Sequence, residues 1–297
     1  MRRATPTDLA GGAGARGGMM PPMSDPRPAL EAIGLLPDGE IDLADAALQL
    51  ARVDAPDADW QAARAHLSDI AREAVARAEA IAPDDLPAQA EALADLLATR
   101  HGYAGDSDTY DDLDNANLIR VIERRRGLPV TLGILWLHAA RAAGWDAHGI
   151  DFPGHFLVGL HGARTQIVLD VFDGGAALDA RALRALLKRV EGAKAELRPG
   201  LLVPMGARAV LLRLQNNIKL RRLRVPNLAG ALACTEDMLR IAPDEAALWR
   251  EAALLHQRLD QVSAALRCYE RFLAIVPRGD VAERARAAME ELRSRLN

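Results

Sequence analysis

His155 and Asp170 are the residues of this chain best spaced for joint chemistry. They flank His161-Gly162-Ala163-Arg164, a stretch with the composition of a hairpin turn. On two paired strands they could face each other. A carboxylate so placed fixes the tautomer of the imidazole and raises its basicity. Upstream, Gly127-Leu128-Pro129-Val130-Thr131 opens an apolar segment. The start of a helix gathers unpaired N–H groups and the positive end of a dipole, which stabilise negative charge. A nucleophile at such a start, a histidine on one strand and a carboxylate on the next make a nucleophile–base–orienter set. Thr131, His155 and Asp170 fill those three places in order. The reaction they could carry is hydrolysis or acyl transfer on peptide or amide bonds. Asn115, Asn117, Pro129, Gly154 and Phe156 flank them as candidate binding positions, although side-chain amides ahead of a helix serve equally as caps. A threonine hydroxyl is a far poorer nucleophile than a thiol, and this part of the chain has no cysteine.

Other polar groups read as structural. Asp106, Asp108, Asp111, Asp112 and Asp114 crowd one stretch without the glycine and terminal glutamate of a calcium loop, so they read as solvated and capping. His138 lies within the apolar segment and reads as a core histidine, while His101, His148 and His161 read as loop or strand-edge residues. No histidine spacing supports a metal site, and no cofactor is expected.

The elements that must position these residues follow from periodicity. Two helices are expected within 29–53, the second capped by Asp42, a third over 58–82 and a fourth over 87–101 ended by Gly102. Residues 103–117 are polar and turn-rich. Asn115 or Asn117 then caps a helix that runs to about Arg125. Pro129 suits the first turn of the next helix, where a missing N–H costs nothing. That helix, Val130 to Ala143, is apolar nearly all round and therefore buried. Strands follow over Ala147–Asp151, His155–Leu160 and Gln166–Phe172, with Asp173-Gly174-Gly175 ending the sheet. A buried helix followed by a small antiparallel sheet makes an α+β domain.

From 180 onward the pattern is helical again. Ala231, Leu232, Cys234, Glu236, Leu239, Ile241 and Pro243 recur 34 positions later as Ala265, Leu266, Cys268, Glu270, Leu273, Ile275 and Pro277. That is the tetratricopeptide period. Two clear units are fewer than the three or so such arrays need, so this one is expected to lean on the α+β domain. Cys234 and Cys268 hold one equivalent position and read as small apolar packing.

Composition excludes several classes. The formal net charge is −4, so no global basic field points to nucleic acid. The basic runs Arg124–Arg126 and Lys219–Arg224 read as solvated faces or internal ion pairs. Two cysteines make no disulfide framework and suit a reducing cytoplasm. No apolar run approaches the ~20 residues that span a bilayer. Residues 1–28, rich in Gly, Pro and Ala, read as a disordered leader, with Met19, Met20 or Met23 as alternative starts.

Taken together, Asp114-Asn115-Ala116-Asn117-Leu118, Arg125-Arg126-Gly127-Leu128-Pro129-Val130-Thr131-Leu132, Phe152-Pro153-Gly154-His155-Phe156-Leu157 and Leu169-Asp170-Val171-Phe172 resemble the transglutaminase-like, papain-like core. With the repeats, the chain resembles the SirB family of bacterial proteins over nearly its whole length. The resemblance implies a helical segment plus transglutaminase-like core at 29–190 and a repeat array at 200–297. Active members of that fold carry a cysteine at the start of the central helix, where this chain has Leu128-Pro129. The resemblance therefore implies a pseudoenzyme or protein-interaction module that binds a peptide or partner protein. The alternative is an enzyme working through Thr131, His155 and Asp170. The oligomeric state is open.

Overall fold

The computed structural model describes residues 25–163 and 165–295. Met19, Met20, Met23 and Arg164 lie outside the described residues. Helix α1 (Arg27–Gly34) begins inside the stretch read as leader, with Pro28 in its first turn. Helix α2 (Leu43–Asp54) is capped by Asp42, whose Oδ1 accepts the N–H groups of Ala44 and Asp45. Helix α3 (Trp60–Ala78) is capped by Asp59. The single helix expected over 87–101 is instead α4 (Leu86–Ala94) running into a π-helical turn, Asp95–Arg100. Periodicity could not show that change, because one inserted residue keeps the apolar positions close to a helical face.

A strap of two short parallel strands follows, β1 (Ala104–Gly105) beside β2 (Arg126–Gly127). Between them lies α5 (Leu118–Arg124), capped by Asn117 and closed by Arg125 in the left-handed region at φ 59°. Helix α6 (Pro129–Ala142) then enters the core, with Leu132, Ile134, Leu135 and Trp136 fully buried.

The sheet comprises β3 (Ala147–Phe152), β4 (His155–His161), β5 (Gln166–Asp170), β6 (Ala176–Leu178) and β7 (Pro204–Met205). It is antiparallel in the order β6-β5-β4-β3-β7. Asp173-Gly174-Gly175 does not end the sheet. Gly174 and Gly175 both have positive φ and turn the chain back to form β6. β5 stops at Asp170 rather than Phe172, because the Asp170 side chain caps a 3₁₀ turn over Val171–Asp173.

Phe156, Val158 and Leu160 point into the main core with α6. Ile150, Phe152, Leu157 and Val168 point the other way, beneath Leu183, Leu186 and Leu187 of α7 (Ala180–Glu191). The sheet and α6 pack so closely that a Cβ on Gly133 would lie 2.2 Å from the Phe156 ring.

The repeats are α8 (Ala207–Arg224), α9 (Leu228–Ile241), α10 (Ala246–Arg258), α11 (Val262–Ile275) and α12 (Asp280–Ser294). α9 and α11 start 34 residues apart, as do α10 and α12. α8 pairs with α9 and α10 with α11, while α12 covers α11. Cys234 and Cys268 are both buried and unbridged. The array does lean on the rest of the chain. Val210, Leu211, Leu214 and Ile218 of α8 sit in the main core, and Asp38 caps α8 by accepting the N–H groups of Ala207 and Arg208 at 2.9 and 2.8 Å. α1 lies along α9, with Gly34 against the Arg240 carbonyl. Among the described residues, no helix is long and apolar enough to cross a membrane.

Candidate functional site

The site starts from a tight hairpin. Pro153 and Gly154 connect β3 to β4, and Gly154 sits at φ 67°, the pattern of a type II turn. A side chain at Gly154 would also strike Val190 of α7. The turn delivers His155 as the first residue of β4. There its Nε2 lies 2.9 Å from Asp170 Oδ1, with both side chains mostly buried. The same carboxylate oxygen accepts the N–H of Phe172 at 3.1 Å and of Asp173 at 3.4 Å. Burial alone would raise the Asp170 pKa. The His155 hydrogen bond and charge, with those two backbone donors, outweigh it and hold the carboxyl below its usual value. Asp170 is thus both the partner of the imidazole and the cap of the turn that follows.

Four further residues shape the surroundings of His155. The Phe172 ring stands edge-on at 6.3 Å between centroids, and Tyr110 stands edge-on to Phe172 at 5.9 Å. Gly105 of β1 lies flat against Phe172, where a Cβ would come within 2.5 Å of the ring. Arg213 of α8 donates to the His155 carbonyl at 3.1 Å and pairs with Asp151. Sequence reasoning missed all of these except Phe172, which it placed in the strand. Gly105 and Arg213 carry no local signal, since only the tertiary fold brings them to His155.

Thr131 is elsewhere engaged. It is 0% exposed, and its hydroxyl donates to the Asn115 carbonyl at 2.9 Å. That carbonyl also accepts the Leu128 N–H at 2.9 Å, so residue 115 closes over the first turn of α6. The Asn115 side chain donates to the Thr109 carbonyl at 2.7 Å. Asn117 serves as a cap: its Oδ1 accepts from Ile119 and Arg120, and its Nδ2 donates to the Ala51 carbonyl. Pro129 takes the first helical position. Phe156 points away from His155 into the core against Gly133 and Gly149. Of the eight candidates, the structure therefore joins His155, Asp170 and Gly154 at one place and Thr131, Asn115 and Pro129 at another.

The remaining polar groups have structural work. Asp106 accepts both the N–H and hydroxyl of Thr109, and Arg124 pairs with Asp106, Asp112 and Asp114. Among the described residues, no three His, Cys, Asp or Glu side chains are grouped to hold a metal ion. The second basic run ties the repeats inward. Arg221 donates to the Tyr110 carbonyl, Arg222 pairs with Asp54, Arg224 with Asp111 and Lys219 with Glu251.

The buried helix α6 and the His155–Asp170 pair both lie within residues 61–216, which the sequence model of the transglutaminase-like superfamily matches. The chain belongs to the transglutaminase-like superfamily. The tetratricopeptide repeat model matches residues 218–290 of this transglutaminase-like protein. It is 31% identical to a UPF0162 protein of Xylella fastidiosa strain Temecula1 over 64% of this chain and 69% of that one. A UPF0162 protein of Vibrio cholerae is 29% identical over 82% of this chain and 89% of its own. A shorter stretch of 71 residues is 31% identical to human F-box only protein 21, covering 24% of this chain and 11% of that protein.

Proposed function

We propose that this transglutaminase-like protein is a binding module of the SirB type. On this reading it is a pseudoenzyme that holds a peptide or partner protein in the cytoplasm, with a core at 29–190 joined to repeats at 200–297. The observation that carries the reading is the state of Thr131. Its hydroxyl is fully buried and already donates to the Asn115 carbonyl, and no thiol stands near the start of α6. Acyl transfer needs a nucleophile that an attacking base can reach and deprotonate. The repeats supply an accessible surface instead, with Leu220 of α8 and Leu254 of α10 each about half exposed.

The intact His155–Asp170 pair supports the competing reading, a hydrolase or acyltransferase on peptide or amide bonds. One experiment separates the two. The wild type, Thr131→Ala and His155→Ala are assayed for amine incorporation into a glutamine-containing peptide and for hydrolysis of p-nitrophenyl acetate. The same proteins, with Leu254→Asp, are compared for capture of a partner isolated with the wild type. We expect no turnover above buffer, capture that survives Thr131→Ala and His155→Ala, and loss of capture in Leu254→Asp. Turnover that disappears in His155→Ala while the fold persists would replace the binding reading with the enzymatic one.

A further inference from the structure

A second cluster of titratable groups lies beneath the β1–β2 strap, away from the His155–Asp170 pair. At its centre is Arg125. One guanidinium nitrogen lies 2.6 Å from His66 Nε2 and also donates to the Tyr103 hydroxyl, while the guanidinium carbon stands 4.8 Å over the Tyr103 ring. Tyr103 is 1% exposed. His101, placed by the π-helical turn, meets His66 edge-on at 5.0 Å between centroids. The backbone of Arg125 is as constrained as its side chain. It holds φ 59°, a region that a side-chain-bearing residue seldom adopts, and its carbonyl accepts the Ala104 N–H that starts the β1–β2 ladder.

An arginine is protonated at any pH a protein survives and offers only donors. The short contact with His66 therefore requires an unprotonated Nε2. A proton on that nitrogen would set two donors and two positive charges against each other. We propose that His66, Arg125 and Tyr103 form a proton-sensitive latch that holds the β1–β2 strap closed over the start of α6.

The surroundings of His66 favour the closed, neutral state. Burial, then the charges of Arg125 and His101, push its pKa down to about 4, against the opposing pull of Asp69 and Glu73 on its own helix. Glu73 is held by Arg100 at 2.7 Å, Arg77 at 3.6 Å and His101 at 3.5 Å, so three groups already share that counter-charge.

The strap is one continuous set of contacts. Arg125 leads into β2, and the Gly127 carbonyl accepts the Asp106 N–H. The next residue, Leu128, donates to the Asn115 carbonyl that covers Thr131. On β1, Gly105 backs the Phe172 ring beside His155. Releasing Arg125 unseats this set, bares the start of α6 and takes away the backing of the Phe172 ring beside His155. Mild acid thus raises the population in which the strap is open, without unfolding the sheet.

The test is amide exchange followed residue by residue on the full chain by NMR, corrected for intrinsic rates. With His66 near 4 when latched and near 6.5 when released, the open population rises on the order of 30-fold between pH 7.5 and pH 5. The expected result is a loss of protection of that size at Ala104 and Asp106, with the β4–β5 ladder unchanged. In His66→Gln, whose amide oxygen accepts from Arg125 and does not titrate, the loss should vanish. An equal loss in His66→Gln overturns the latch. Should that variant not fold, the wild type still decides the matter. His66 ring nitrogens that take up a proton while Ala104 and Asp106 stay protected overturn it as well.

Discussion

His155 rests against a carboxylate and His66 against a guanidinium, so the two imidazoles meet partners of opposite charge. The Asp170 carboxylate only accepts, so His155 faces it with an N–H. A protonated His66 loses its partner. The same imidazole thus pairs with a carboxylate in one part of the core and makes another part conditional on pH. Neither behaviour is a property of histidine as such. Each is set by the sign of one neighbour that arrives from elsewhere in the chain, Asp170 across a hairpin and Arg125 across 59 positions.

The most damaging way to break this contrast is Asp170→Ala. It removes the His155 partner and the cap for Phe172 and Asp173 together, and should lower stability by about 2–3 kcal/mol in urea unfolding. Next comes pH itself. His66 and His148 both have folded pKa values of about 4, below the 6.5 of a free histidine. His148 is lowered by burial and then by the charge of His161. The unfolded chain takes up these protons first, so stability is complete above pH 6.5 and is lost as pH falls towards 4. Between pH 7.5 and 5 each should contribute a loss on the order of 1–2 kcal/mol, and His66→Gln should remove only its own share. Arg125→Ala should cost about 1–2 kcal/mol by thermal or urea denaturation, since it gives up the Tyr103 and His66 contacts while keeping the unfavourable φ. Arg125→Gly should recover part of that loss, because glycine adopts the left-handed region freely. The smallest effect is expected for Thr131→Val, about 1 kcal/mol, from one lost hydrogen bond to Asn115 at nearly constant shape.

Much of the frame was legible in the residues. The all-round apolarity of Val130–Ala143 marked a buried helix, and α6 is one. The 34-residue recurrence marked the repeats, and the helix starts keep that spacing. His155–Leu160 and Gln166–Phe172 read as two strands, and these pair as β4 and β5, which brings His155 to Asp170. What stayed hidden shares one cause. Short strands such as β1, β2 and β7 have two residues each and owe their form to partners far along the chain. Gly105 reaches the Phe172 ring from β1, and Arg213 reaches His155 from α8, both across long stretches of chain. The fate of Thr131 was equally hidden, because the group that occupies its hydroxyl is a backbone carbonyl, and every residue has one.

The seat of α1 on α9 has a consequence for how the chain is made. Arg27 lies 3.6 Å from Asp237, and Gly34 has no room for a side chain because the Arg240 carbonyl fills the space. During synthesis α1 leaves the ribosome about 200 residues ahead of the helix it packs on. At 5–20 residues per second that is a wait on the order of 10–40 s. For that interval α1 lacks the α9 surface it lies along in the finished protein. Among the described residues the first helix made is thus secured only once α9 has been translated.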